Sequence, residues 1–278
     1  GDKPKDLIHT IAEDMLTRFA EAPLIDQYEA YQRLMSYWAD TMQDDVFIIA
    51  HDGWEAAKEL REARKETDAK GKVKWLEEAD LTVNKVRLVA DVIPPALIVA
   101  RFFPEMQQVL DDAQTKAEEL GRKIEEMVEE HGTEGGLLAD ALTEAGKLTA
   151  ASVKARIKSG EADAEEAPLL KQVTKLMTAE TAAKKAVKEA EEALTEATLK
   201  KYPELTEEEI RTLVVDDKWL TDIAELIEAE IEARTEQLTA RTRMLTERYG
   251  HTLPEIDDSY ADVSKKVSCH LKAMGFSA

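Results

Sequence analysis

Two scarcities narrow what this chain can be. It holds a single cysteine, Cys269, and aromatic residues make up only 5% of its 278 positions. One thiol excludes an internal disulfide and fits a reducing cytosol, so a cytoplasmic protein is expected. Basic charge is also short, with 37 lysines and arginines against 58 acidic residues, a formal net charge of −21. A surface that acidic repels phosphate over most of its area, which argues against bulk electrostatic binding to DNA. No run approaches the ~20 apolar residues of a membrane span, and no signal peptide is visible. The chain opens on Gly1 rather than Met, which suggests a piece trimmed from a longer protein. What is abundant is Ala, Glu, Lys and Leu, the composition of long helices. The length suits one large or two modest domains.

The apolar spacing predicts a mainly α protein: a helical bundle with a long antiparallel coiled-coil arm and a small β-ribbon near residues 73–92. Leu7, Ile8, Ile11, Met15 and Phe19 recur at helical spacing over residues 4–20, with Pro4 in the first turn and Pro23 as a breaker. Tyr28, Tyr31, Met35, Trp38 and Met42 share one face of a second helix, a core stripe. Val46–Ala50 suits a short strand ended by Asp52-Gly53, after which Trp54–Arg64 returns to helix. From Lys85 to Val92, strict alternation places Val86, Leu88, Ala90 and Val92 on one face, a half-buried strand. Val83 and Val73–Leu76 extend it to a ribbon, which Pro94-Pro95 ends at the start of the next helix.

Two matched heptad runs follow. Met106, Leu110, Ala113, Ala117, Leu120, Ile124 and Met127 alternate spacings of four and three. So do Leu169, Val173, Leu176, Glu180, Ala183, Val187, Ala190, Leu194 and Ala197, with Glu180 the one polar interruption. Such alternation is the seam of a supercoiled helix pair, and each run is about 40 Å long at 1.5 Å per residue. Equal lengths and one connector predict antiparallel pairing within the chain; a dimeric coiled coil competes. In the connector, Gly135-Gly136 reads as a turn, Leu137–Thr143 as a short helix and Thr149 as the cap of Ala150–Ile157. Trp219, Ile223, Ile227, Ile231, Leu238, Leu245 and Tyr249 mark a long helix stopped by Gly250. Tyr260, Val263, Val267, Leu271 and Met274 mark a last one stopped by Gly275. The implied segments are 1–95, an N-terminal helical part with the ribbon; 96–203, the arm with a helical tip; and 204–278, the C-terminal helices.

Catalytic and metal motifs are missing. His9, His51, His131, His251 and His270 show no metal spacing, and Cys269-His270 is an isolated pair. Gly146-Lys147-Leu148-Thr149 lacks the earlier glycine of a phosphate loop, since Ala141 stands there, and has Leu in place of the metal-binding hydroxyl. The doublets Asp44-Asp45, Asp111-Asp112, Asp216-Asp217 and Asp257-Asp258 sit where capping or solvation explains them. No nucleophile has a base beside it. Catalytic, cofactor-binding and metal residues are therefore expected to be none.

The stretch Leu205–Leu220, LTEEEIRTLVVDDKWL, is the most specific. Thr206 and Glu209 form a capping box, Ile210, Leu213 and Val214 an apolar face, and Asp216 or Asp217 can cap a following helix that opens with Trp219 and Leu220. This string resembles the C-terminal region of modification (methyltransferase) subunits of type I restriction–modification systems. So do Tyr28–Tyr31 through Gln43–Val46 to Asp52-Gly53-Trp54, and the block from Ile93 through Pro94-Pro95 to Phe102. The resemblance implies a parent that transfers a methyl group from S-adenosylmethionine to adenine in DNA. Its partners would be a specificity subunit and a restriction subunit, with DNA reached through the assembled complex. A catalytic domain of that family needs a glycine-rich cofactor turn, and an asparagine or aspartate followed by two prolines and an aromatic ring to hold the flipped base. At the only Pro-Pro here, Ile93 cannot accept the base's hydrogen bonds and Ala96 has no ring to stack. The expectation is a non-catalytic helical docking module, with no cofactor in this piece; the alternative is a free-standing coiled-coil scaffold or dimerisation module.

One segment runs against the acidic background. Gly146–Gly160 carries Lys147, Lys154, Arg156 and Lys158 and no acid. Lys154 and Lys158 share a helix face by their spacing. These four are the candidate contacts to nucleic acid or to an acidic partner; local charge balance is the competing explanation.

Overall fold

The computed structural model describes residues 4–67, 73–133, 135–143 and 146–276. In chain order the elements are α1 (Pro4–Phe19), α2 (Gln27–Tyr37), α3 (Gln43–Asp52), β1 (Leu60–Glu62), β2 (Lys65–Thr67), β3 (Val73–Trp75), β4 (Leu81–Val83), β5 (Val86–Ala90), α4 (Pro95–Phe102), α5 (Pro104–His131), α6 (Ala150–Ser159), α7 (Glu166–Glu204), α8 (Glu207–Arg211), α9 (Thr221–Tyr249) and α10 (Leu253–Ala273). The protein is mainly α with small antiparallel sheets, as the spacing predicts. Its compact units are Gly1–Val46 with Trp219–Ala278, and Phe47–Lys218. They do not follow the three consecutive segments 1–95, 96–203 and 204–278.

In the first unit, α1 and α2 pack together, and α2 also packs on α9. An Asp26–Glu29 capping box starts α2, and a π-helical turn over Trp38–Met42 follows it. The buried face of α2 is that of Ala30, Leu34 and Tyr37, continued by Trp38 and Met42, so it runs beside the expected stripe: Tyr28 is 64% exposed, and Tyr31 and Met35 are half-buried. Two polar contacts tie this core, the first buried and the second half-buried. The Trp219 indole N–H donates to Asp45 Oδ2 at 2.8 Å, and the Tyr37 hydroxyl donates to Asp222 at 2.8 Å. Burial first, and the Asp222 carboxylate second, push the Tyr37 hydroxyl pKa well above its ordinary 10.0. On the rim, Arg33 pairs with Glu230 and Arg234 with Glu29.

Two short segments differ from the sequence expectation. Val46–Ala50 lies inside α3 rather than in a strand, because the helix entering through the π turn continues until Gly53, whose φ of +84° breaks it. Trp54–Arg64 is not one helix: a 3-10 turn over Trp54–Lys58 gives way to β1.

In the second unit β5 is the centre of a three-stranded sheet ordered β1-β5-β4, and β2 pairs with β3 separately. Val73–Trp75 therefore pairs with Lys65–Thr67 rather than extending the β5 ribbon. Lys85 also leaves the expected strand. Asn84 and Lys85 have φ of +51° and +68°, the two left-handed residues of a tight hairpin turn whose twist matches the strands. Arg61 on β1 ties the sheet to its flank, pairing with Asp91 at 2.7 Å and with Glu77. Glu77 also accepts the Arg64 backbone N–H. The Arg61 hydrogen bond, then the Arg64 N–H, hold the Glu77 carboxyl down at about 2. A depressed carboxyl contributes stability that is complete above its unfolded pKa and lost as pH falls through the folded one. Acid titration followed by Trp75 fluorescence should show a loss beginning near 4.5 and continuing toward about 2, and Glu77→Gln should remove that dependence.

The double proline is a strand-to-helix junction, with Pro95 opening α4. Its preceding carbonyls find distant donors: Lys218 Nζ donates to Val92 O at 2.7 Å, and the buried Tyr202 hydroxyl to Ile93 O at 2.6 Å. Tyr202→Phe leaves the Ile93 carbonyl without that donor and should lower stability by roughly 1–3 kcal/mol in urea unfolding.

α5 and α7 form the arm, the most extensive helix pairing among the described residues. Its direction is antiparallel. Met127 packs on the Leu170–Val173 cluster, Gly121 faces Glu180, Ala113 lines a groove with Ala183, and Lys201 sits 4.2 Å over the Phe102 ring beyond the arm's base. Leu110, Ala117, Ile124, Val173, Ala183 and Leu194 are the buried seam residues, while Leu120 is half-buried. Glu180 is tolerated because Gly121 lies opposite and Lys184 pairs with it at 2.6 Å.

At the arm's tip, Leu138, Ala141, Val153, Leu170 and Val173 make a small separate core. Leu137–Thr143 is not a regular helix: a single 3-10 turn spans Ala139–Ala141, and Leu142 bridges to Leu148. Thr149 caps α6 in a box with Ser152, and Gly160 ends it at φ +72°.

Past α7, the Thr206–Glu209 capping box opens α8, and Ile210, Leu213 and Val214 are fully buried. No new helix cap follows. A π-helical segment over Thr212–Leu220 leads straight into α9. Asp217 instead takes the Arg101 guanidinium in two hydrogen bonds of 2.5 and 2.7 Å.

Candidate interaction surfaces

The four basic residues of the tip divide into two kinds. Lys147, Lys154 and Lys158 are exposed. Arg156 is held inward, its side chain 16% exposed and ringed by Glu166 at 2.8 Å, Asp140 at 3.0 Å and Glu161 at 3.4 Å. Both oxygens of the buried Glu166 accept from it. The hydrogen bond to Glu166, with the other carboxylates adding to it, raises the Arg156 pKa above its ordinary value. Its donors are already used to staple α6 onto the start of α7. Of the four candidate contacts, only the three lysines point a charge outward.

Lys154 also lines an open groove of about 420 Å³ between α6 and α7, with Val153, Thr174, Met177, Thr181 and Lys185. Its apolar floor is the outer side of the tip core, and its two ammonium groups give it positive charge. A second groove, of about 490 Å³, runs along the arm among Ala113, Ala179, Ala183 and Ala186. It exists because alanines meet where larger side chains would fill the seam. Neither groove carries a nucleophile with a base beside it.

The larger surface is in the other unit. Every residue of α9 from Thr235 onward is exposed, and α10 buries none of its residues. Ile231, Leu238 and Leu245 recur every seven residues, and Arg234, Arg241 and Arg248 keep the same step. Leu238 is 57% exposed and Leu245 40%. Arg241, Arg243 and Arg248 make no ion pair among the described residues; Arg248 lies 5.5 Å over the Tyr249 ring. Apolar spacing alone marks these leucines as core-facing, so the sequence signal that exposes them is the arginine repeat beside them. Thr235, Leu238, Thr242, Arg243 and Thr246 line a shallow surface with Leu24.

Among the described residues, no three His, Cys, Asp or Glu side chains are grouped as a metal site requires, and no helix is long and apolar enough to cross a membrane. Comparison with protein-family models, with curated proteins and with solved structures finds no match.

Proposed function

We propose that this chain is a non-catalytic helical docking module of a type I modification subunit, which positions an adenine-methylating catalytic domain against the specificity subunit and DNA. The family part of this proposal rests on the resemblance carried by Leu205–Leu220 and by the blocks from Tyr28 to Trp54 and from Ile93 to Phe102. S-adenosylmethionine would serve the parent's catalytic domain, because the cofactor turn and base-binding tetrad are not in this sequence. The observation that carries the docking role is the distal half of α9. There an apolar heptad, flanked by Arg241, Arg243 and Arg248, which make no ion pair among the described residues, stands in solvent where a packed helix would bury it. Such a stripe suits a helical partner that offers an apolar seam edged with carboxylates, and the long helices joining the two DNA-reading domains of a specificity subunit are its proposed occupant. Lys147, Lys154 and Lys158 are the proposed phosphate contacts of the assembled complex.

Co-elution with the specificity subunit tests this. The chain should form a stoichiometric complex, and Leu238→Asp with Leu245→Asp should abolish it without loss of helix content, since both side chains are exposed in the free protein. An unaffected complex in that variant would place the docking surface elsewhere.

A further inference from the structure

The last helix raises a separate question. α10 runs for 21 residues, is started by a Thr252–Glu255 capping box, and is amphipathic with none of its residues buried. Leu253, Ile256, Tyr260, Val263, Val267, Leu271 and Met274 form its apolar stripe, and all are exposed, Leu253 at 77% and Tyr260 at 74%. After Ala273 the chain closes with Gly275 at φ +85° and the Phe276 N–H donating to Leu271 O, so the helix end is well formed.

Its charges are segregated. The first half, through Val263, holds Glu255, Asp257, Asp258 and Asp262 and no base; the second half holds Lys265, Lys266 and Lys272 and no acid. An ion pair joins the halves at their boundary, Asp262 to Lys266 at 3.4 Å. The apolar stripe is close to a palindrome about that same boundary. When a second α10 is turned end for end, Leu253 comes level with Met274, Ile256 with Leu271 and Tyr260 with Val267, while Val263 lies at the axis beside its own copy.

We infer that α10 is a self-association helix, pairing antiparallel with α10 of a second copy of this chain across a two-fold axis at Val263–Ser264. A two-fold interface must be self-complementary, and this helix is so in both apolar pattern and charge. Packed helices lie ~8–10 Å apart, about the screening length at physiological salt. An antiparallel pair therefore sets each acidic half against a basic half, whereas a parallel pair sets like against like. This pairing uses α10 alone and stands whether or not α9 docks a partner.

The test is sedimentation of the full chain over a concentration series, with charge-reversed variants. Asp257→Lys with Asp262→Lys cancels the charge of the acidic half, two lysines against the remaining Glu255 and Asp258, and Lys265→Glu with Lys266→Glu turns the basic half net acidic, two glutamates against the remaining Lys272. Both leave the Thr252–Glu255 cap in place, and circular dichroism checks that the helix persists. The wild-type chain should dimerise, more weakly as salt rises. Each variant alone should associate at least about tenfold more weakly, a loss of about 1.4 kcal/mol, and their equimolar mixture should recover a heterodimer. In a Cys269→Ser background, Val263→Cys should cross-link to its own copy and Val267→Cys should not, which fixes the antiparallel sense. A wild-type chain that stays monomeric, a mixture no tighter than its components, or cross-linking at 267 rather than 263 overturns the inference.

Discussion

Leu194→Ala is expected to cost the chain roughly 2–5 kcal/mol. Leu194 is 7% exposed in the seam between α7 and α5, a seam in which Ala113, Ala117, Ala183, Ala190 and Ala197 are among the heptad positions. Small neighbours contribute little area of their own, so the few large side chains carry a disproportionate share of the arm's stabilisation. Leu120→Ala should cost clearly less, because Leu120 is only half-buried. Urea unfolding monitored by circular dichroism measures both. Equal losses would mean that Leu194 is not the seam residue its burial indicates.

That arm is the part of the fold most legible in the sequence. A heptad seam is local information: the spacing from Met106 to Met127 and from Leu169 to Ala197 states both helices and the face they share. Capping is equally local, and the boxes at Thr206 and Thr149 stand where hydroxyl and carboxylate or hydroxyl spacing puts them. What the sequence hides is decided at a distance. Helix α2 turns the face of Ala30, Leu34 and Tyr37 inward and packs on α1 and α9, which leaves Tyr28 exposed, and no periodicity count registers that. Val46–Ala50 has strand-like composition, but a helix already running through Gln43 overrides it. Leu60–Glu62 becomes a strand because β5 needs a partner there. At the tip, Arg156 looks equivalent to Lys154 and Lys158 in the sequence; only the fold brings Asp140 and Glu166 to it from either side.

That difference among the basic residues shapes the second large effect. In the proposed modification complex, changing Lys147, Lys154 and Lys158 together to Gln should reduce the slope of log DNA affinity against log salt by about 2–3 units, at about 0.9 per phosphate contact. Sequence preference should be unchanged, because phosphate contacts position a protein and base contacts specify the site. Arg156→Gln should behave differently. It removes the partner of the buried Glu166 carboxylate, so its main effect should be a loosened tip, read as earlier unfolding, with little change in salt slope. An unaltered slope in the triple-lysine variant would leave the patch as local charge balance in an acidic chain. The isolated chain, at −21, should bind DNA weakly at low salt only.

The proposed docking role is tested most directly by hydrogen exchange across α9, with and without the proposed partner, a specificity subunit. Alone, residues 235–249 should exchange rapidly, since their backbone hydrogen bonds lie on a helix exposed on every side. With the partner bound, the segment should be strongly protected, centred on Leu238 and Leu245, while exchange along α5 and α7 stays unchanged. Protection of the α5–α7 arm with no change in α9 would contradict it.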